Sequence, residues 1–200
     1  MTAAGRAKLS YAEYVAREQA SELRHEFIDG EIFAMAGRTP EHAALIAAVT
    51  GVLFGQLRGG PCRAFVTEVR TRIRADAKGP DVGVYPDIAI VCGSVVRDSE
   101  DPISIVNPTV IIEVLSNSTE AYDRHGKFDP YRRLDSLREY VLVSQHEPRI
   151  EAFAKADDGW SSGVAVGPAG RVELASVNAR LDVDEVFRGL VGEEGRVRVP

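Results

Sequence analysis

Three stretches of the chain predict an α+β fold, a mixed sheet with helices packed against it. "HEFIDGEIFAMAG" holds Asp29-Gly30, a favoured two-residue turn, between apolar-rich arms and predicts a β-hairpin. "TPEHAALIAAVTGVLFGQLRGG" predicts a mostly apolar helix that must cover a sheet. "NPTVIIEVLS" is almost continuously hydrophobic, as a central strand covered on both faces must be.

In chain order, Ser10 caps a short helix in "SYAEYVAREQA", and the hairpin about Asp29-Gly30 follows. Thr39 is the N-cap and Pro40 the first residue of the second helix, which Gly59-Gly60 ends. "CRAFVTEVRTRIRA" reads as one or two strands. "YPDIAIVCG" reads as a strand with Ile88 and Ile90 facing opposite to Asp87, Ala89 and Val91. From Ser118 to about Leu134 the pattern turns helical, but Pro130 forbids an uninterrupted helix. Asp129 as cap and Pro130 as first residue start a helix there, leaving "STEAYDRHGKF" as a loop or a separate helical turn. "EYVLVSQ" and "RIEAFAK" form a strand pair joined near "HEP". "GWSSGVAVGPAGRVELAS" adds antiparallel strands, and "LDVDEVFRGL" a short closing helix. With no repeat, low-complexity tract or long linker, residues 1–200 are expected to form one domain.

At 44% hydrophobic and 27% charged, the chain has enough apolar residues for a core and is not of disordered composition. No apolar run approaches the roughly 18 residues of a membrane helix, and the amino terminus lacks an apolar signal region, so a cytoplasmic location with no membrane partner is expected. Cys62 and Cys92 follow no metal or redox spacing and read as free thiols of a reducing compartment. A net charge of −6 opposes nonspecific coating of nucleic acid, although a local basic stripe can still grip phosphates.

Glu113 stands alone in the most apolar run, where an unpaired charge costs several kcal/mol. It therefore has a partner, opens onto a cleft or holds a metal. Asp87 begins the strand before it, and if the two strands are neighbours, both carboxylates converge as hard oxygen ligands suited to Mg²⁺. The competing reading has Asp87 capping a turn and Glu113 paired with Arg70 or Arg124. In "STEAYDRHGKFDPY", Asp123, Lys127 and Tyr131 are spaced by four and share a face wherever the segment is helical. Lys127 then reaches the carboxylates and can stabilise charge on a phosphate oxygen; otherwise it is a solvated lysine paired with Asp123. The hairpin puts Glu26, Ile28, Glu31, Phe33 and Met35 on one face, which makes Glu31 a candidate auxiliary acid and Glu26 a weaker one, against a reading as exposed strand acids. His42, in the first turn of its helix, reads as a capping or packing residue, against a role in touching substrate or transferring a proton. Arg70, Arg72 and Arg74 alternate onto one strand face, where they either bind successive phosphates or keep the sheet soluble; Arg132, Arg133 and Arg138 form a weaker basic cluster.

From about Leu23 to about Phe153 the order of "YPDIAIV", "PTVIIEVLSNST", "YDRHGKFDPYRRL" and "REYVLVSQ" resembles the Uma-type restriction endonucleases, a bacterial branch of the PD-(D/E)XK nuclease superfamily. The resemblance implies a restriction-endonuclease-like mixed sheet flanked by helices, here with the hairpin before it and further antiparallel strands after it. It also implies a homodimer that hydrolyses DNA phosphodiesters with Mg²⁺, or with Mn²⁺ in its place. By position Asp87 is the acid of the "PD" element and Glu113 the acid of the second element, the pair that would hold the metal. The standard signature has a lysine two residues after the second acid. Here that position is Leu115, and the resemblance implies Lys127 as the replacement. Two other expectations stand beside this one: a noncatalytic DNA-binding or dimerisation module that keeps the fold, and hydrolysis of another phosphoester.

Overall fold

A computed structural model describes residues 8–35, 37, 39–116, 120–192 and 194–199. Helix α1 (Tyr11–Ala20) opens with a capping box in which Ser10 and Glu13 bond each other's backbone amides. Strands β1 (His25–Ile28) and β2 (Glu31–Ala34) form the expected hairpin, with positive φ at both Asp29 and Gly30. Helix α2 (Pro40–Leu57) starts where Thr39 accepts the amide of His42.

Nine more strands build the centre and one side of the molecule: β3 (Cys62–Val66), β4 (Arg70–Ile73), β5 (Val82–Val84), β6 (Ile88–Cys92), β7 (Ser104–Ile105), β8 (Val110–Leu115), β9 (Glu139–Ser144), β10 (Arg149–Ala156) and β11 (Gly159–Val166). They lie in two mixed sheets, one ordered β11-β10-β9-β8-β6-β3 and the other β2-β1-β5-β4-β7. In the larger sheet β8 and β9 run parallel and the other pairs are antiparallel. All side chains of β8 and β9 are buried, the two-sided burial expected of the apolar run. A small pair, β12 (Arg171–Leu174) and β13 (Ala179–Asp182), with helix α4 (Val183–Val186), completes the chain.

The pleat of β8 divides the core. Val110, Ile112 and Val114 face α2 through Leu45, Val49 and Leu53, with β12, β13 and α4 closing that side. Ile111 and Leu115 face the second sheet and the segment after β8, among Phe128, Tyr131, Tyr140 and Leu142. Glu113 shares the parity of this second set. The signature position, Leu115, is therefore a packed core residue two steps along the same face.

Three expectations change. First, Cys62 and Cys92 are not free: they are register partners on β3 and β6, and a disulfide joins them, a proximity that no linear spacing reports. Second, no new helix begins at Asp129. Residues Tyr122–Lys127 form a π-helix that runs straight into α3 (Phe128–Tyr131), with Pro130 as its third residue. Proline cannot donate to the carbonyl four residues back, and the wider π turn shifts the bonding by one residue just before it. The part of this expectation on residues 117–119 lies outside the described residues. Third, β4 is an interior strand, so Arg70 and Arg72 do not form an open phosphate-binding stripe. Arg70 holds both carboxylate oxygens of Asp101 at 2.8 Å, and Arg72 bonds Asp98 at 2.9 Å and Glu100 at 2.7 Å. Arg74 is half-exposed and pairs with Asp98 at 2.9 Å.

Among the described residues no helix is long and apolar enough to cross a membrane.

Candidate active site

The register of β6 and β8 places Ile88 opposite Ile112, which sets Asp87 opposite Glu113 one step further on. The two acids are locked to each other's strands. The Val114 amide donates to Asp87 Oδ2 at 2.8 Å, and the Asp87 amide donates to Glu113 Oε2 at 3.2 Å. Pairing between neighbouring strands was the condition for convergence, and the structure meets it.

The π turn brings Lys127 to the same place. Its Nζ lies 3.0 Å from Glu26 Oε1, 3.3 Å from Asp123 Oδ1 and 3.4 Å from Glu113 Oε1. Tyr131, one turn on, donates to Glu113 Oε1 at 3.0 Å, and Tyr140 donates to the backbone carbonyl of Asp123 at 2.8 Å. The ring of Tyr122 packs over Gly126, where a methyl group would overlap it. Glycine there lets the turn close.

His42, in the first turn of α2, has Nε2 3.3 Å from Asp87 Oδ1. Relative exposures are 6% for Glu26, 6% for His42, 4% for Asp87, 2% for Glu113, 2% for Asp123 and 6% for Lys127, so the whole cluster sits at the bottom of a cleft. The cleft has a volume of about 620 Å³ and is also lined by Ile28, Phe33, Met35, Tyr85, Tyr122 and Gln145.

Four acids share this space with one amine and one imidazole. Burial holds the Glu113 carboxyl well above the usual carboxylate range; Lys127 draws it back, while Asp123, Asp87 and Glu26 push it further up. Burial alone would lower the Lys127 amine, but Glu113, Glu26 and Asp123 outweigh it and hold the amine above its ordinary value. Burial and the adjacent Glu113 keep the Tyr131 phenol protonated. The cluster is a negative pocket around one fixed cation.

Asp87, Glu113 and Lys127 are thus brought together, and Asp123 and Tyr131 accompany them as the spacing of four required. Arg70 and Arg124 do not pair with Glu113: Arg70 is held by Asp101, and Arg124 by Glu120 and Glu151. Glu31 lies at the hairpin tip opposite Ile28, exposed and outside the cleft, whereas Glu26 sits inside it. Sequence reasoning ranked these two acids the other way. The signal that separates them is the neighbourhood: Glu26 precedes the buried Phe27 next to the central strands, while Glu31 belongs to an edge strand with no covered face. His42, read as a cap or packing residue, lines the cleft. Gln145 gave no sequence signal, since it reaches the cleft only because β8 and β9 end side by side.

Residues 11–183 match the model of the Uma2 family, described as "Putative restriction endonuclease". The chain belongs to the Uma2 family. Every cleft residue named above falls within the matched span. Among proteins similar to this Uma2 chain, "Uncharacterized protein slr1290" of Synechocystis sp. (strain ATCC 27184 / PCC 6803 / Kazusa) is 33% identical over 92% of this chain and 93% of its own. "Uncharacterized protein sll1609" of the same organism is 29% identical over 84% of this chain and 93% of its own. A crystal structure from Anabaena variabilis ATCC 29413, titled as a putative nuclease belonging to DUF820, superposes with a TM-score of 0.66 at 19% identity, covering 84% of this chain and 91% of that one. At that identity the likeness establishes a shared fold, and the mixed central sheet flanked by helices is accordingly restriction-endonuclease-like.

Proposed function

We propose that this Uma2 protein is a metal-dependent endonuclease that hydrolyses DNA phosphodiester bonds. The observation that carries the reading is the meeting of Asp87 and Glu113 across two paired strands, with the Lys127 amine 3.4 Å from Glu113 at the base of a cleft. Among the described residues no group of three or more His, Cys, Asp and Glu side chains is arranged to hold a metal by itself. The donor set nevertheless suits Mg²⁺, or Mn²⁺ in its place. This hard cation is commonly held by one or two carboxylates plus waters and substrate phosphate, and the excess of buried acid over Lys127 favours a dication. Asp87 and Glu113 would hold it. When bound, it supplies Lewis acidity at the phosphate and a water of lowered pKa.

The remaining work falls to the chain itself. Lys127, fixed by three acids, places positive charge where the phosphate oxygens gain negative charge, and no reorganisation is needed at that moment. Tyr131 fixes the Glu113 carboxyl through its hydroxyl, and His42 does the same for Asp87. The buried walls limit the access of bulk water. Leu115 at the signature position takes no part, and the chain compensates by approaching the acid pair from the π turn.

Circular single-stranded DNA and supercoiled plasmid, each incubated with purified protein and Mg²⁺, test the reading. Cleavage of at least one of them is expected, with a loss of at least about a hundredfold in Asp87→Asn and Glu113→Gln, the scale of losing an electrostatic catalytic group. Absence of cleavage of both substrates with Mg²⁺ and with Mn²⁺, or its persistence in both variants, overturns it. A noncatalytic module is the second reading, favoured by the way the acids already satisfy each other's backbone amides and Lys127. Calorimetric titration separates the two, because only the nuclease requires a Mg²⁺ or Mn²⁺ site that Glu113→Gln removes.

A further inference from the structure

We propose that the cleft accepts one unpaired nucleotide, so that the DNA substrate is a single strand or a frayed end and not an intact duplex. The inference rests on the nuclease reading and deepens it. Its first support is depth. The acids and the amine are 2–6% exposed at the bottom of the cleft, whereas Phe33 at its wall is 47% exposed. A phosphate on the outside of a rigid duplex must approach together with its neighbours and the opposite strand, and groups this deeply buried are out of their reach. A single strand can bend one phosphate inward.

The second support is the wall chemistry. The hairpin contributes Ile28, Phe33 and Met35, and the π turn contributes Tyr122. An apolar and aromatic wall beside a phosphate-cleaving centre has no use for a sugar-phosphate backbone, but it suits the π-face of an unstacked base. The volume of about 620 Å³ falls within the range of about 300–1,000 Å³ typical of small-ligand sites, which is the scale of one nucleotide.

The third is charge. The arginines on the elements framing the cleft are already neutralised: Arg24 by Glu68, Arg70 by Asp101, Arg72 by Asp98 and Glu100, and Arg124 by Glu120 and Glu151. Tracking a duplex takes several such cations, and in this cleft Lys127 is itself matched by acids.

The test measures binding and cleavage separately. Glu113→Gln protein is titrated by fluorescence anisotropy with a labelled single strand, the same sequence as a blunt duplex, and a duplex with a single-stranded overhang. Wild-type protein is then given the same three substrates with Mg²⁺. The single strand and the overhang are expected to bind at least about tenfold more tightly than the blunt duplex and to be cut preferentially. The log–log salt slope of single-strand binding is expected to be about −0.7, the value for one phosphate contact on a single strand. Phe33→Ala should weaken single-strand binding about tenfold through lost stacking, and Phe33→Tyr should restore it. Equal or tighter binding of the blunt duplex overturns the inference, as does a Phe33→Ala variant that binds the single strand like its parent. Single-strand preference in binding without cleavage of any substrate leaves the cleft assignment standing and sinks the nuclease reading instead.

Discussion

Replacing Lys127 with methionine is the most direct probe of the cleft, because it deletes one charge and leaves the shape of the stem nearly intact. In the folded protein that amine lies within 3.0–3.4 Å of Glu26, Asp123 and Glu113, and all four groups are buried. Removing one partner of a buried ion pair leaves uncompensated charge and costs about 3–5 kcal/mol, a large share of the roughly 5–15 kcal/mol that stabilises a domain. Urea unfolding followed by circular dichroism at about pH 8 should show that deficit. The sign of its pH dependence follows from Glu113. Its pKa is raised in the folded state, so ionisation penalises folding at high pH and the penalty lifts as pH falls through the folded value. Without Lys127 the carboxyl loses the largest influence drawing its pKa down, so the penalty at high pH grows. The deficit of Lys127→Met should therefore shrink when the measurement is repeated at about pH 5. A deficit below about 1 kcal/mol at pH 8, or one that widens toward acid, refutes the picture of an amine locked among carboxylates.

Other expectations follow from named contacts. Asp101 is held below its ordinary value of 3.8 by Arg70 and Ser104 despite burial, so its stabilisation is present above that value and lost as pH falls below it; Asp101→Asn should cost about 3 kcal/mol at neutral pH, with the gap to wild type closing below about pH 4, and a pH-independent gap contradicts this. Gly126→Ala forces a methyl into the Tyr122 ring and should cost about 1–3 kcal/mol in thermal unfolding; an unchanged Tm means the π turn repacks freely. Strands β2 and β11 end their sheets and leave backbone groups for a second copy, so light scattering on a sizing column should give the mass of a homodimer; a monomer excludes that pairing.

Much of this fold is legible in local sequence because the signals are local. Positive φ at Asp29-Gly30 makes the hairpin, the Thr39-Pro40 pair starts α2, and an unbroken apolar run has no place except the middle of a sheet. Glu113 stood out for the same reason: one carboxylate among buried aliphatics requires an explanation. What stayed hidden depends on distant partners. Arg70 and Arg72 read as a phosphate stripe because alternation reports which residues share a face and is silent on whether Asp98, Glu100 and Asp101 lie across from it. The sequence does not place Glu26 in the cleft ahead of Glu31, because their shared face is covered at one end and open at the other. Cys62 and Cys92 were missed because strand register, and not spacing, makes them neighbours.

The sequence by itself determined the helix starts, the hairpin, the central strand and the pair of acids, since capping, turn chemistry and the cost of buried charge act within a few residues. Only the tertiary structure decided that Asp87 faces Glu113, that a π turn relieved before Pro130 carries Lys127 to both Glu113 and Glu26, and that the arginines are already neutralised. Those outcomes rest on interactions between segments tens of residues apart, where distance is set by register and packing and charge is settled by whichever partner arrives.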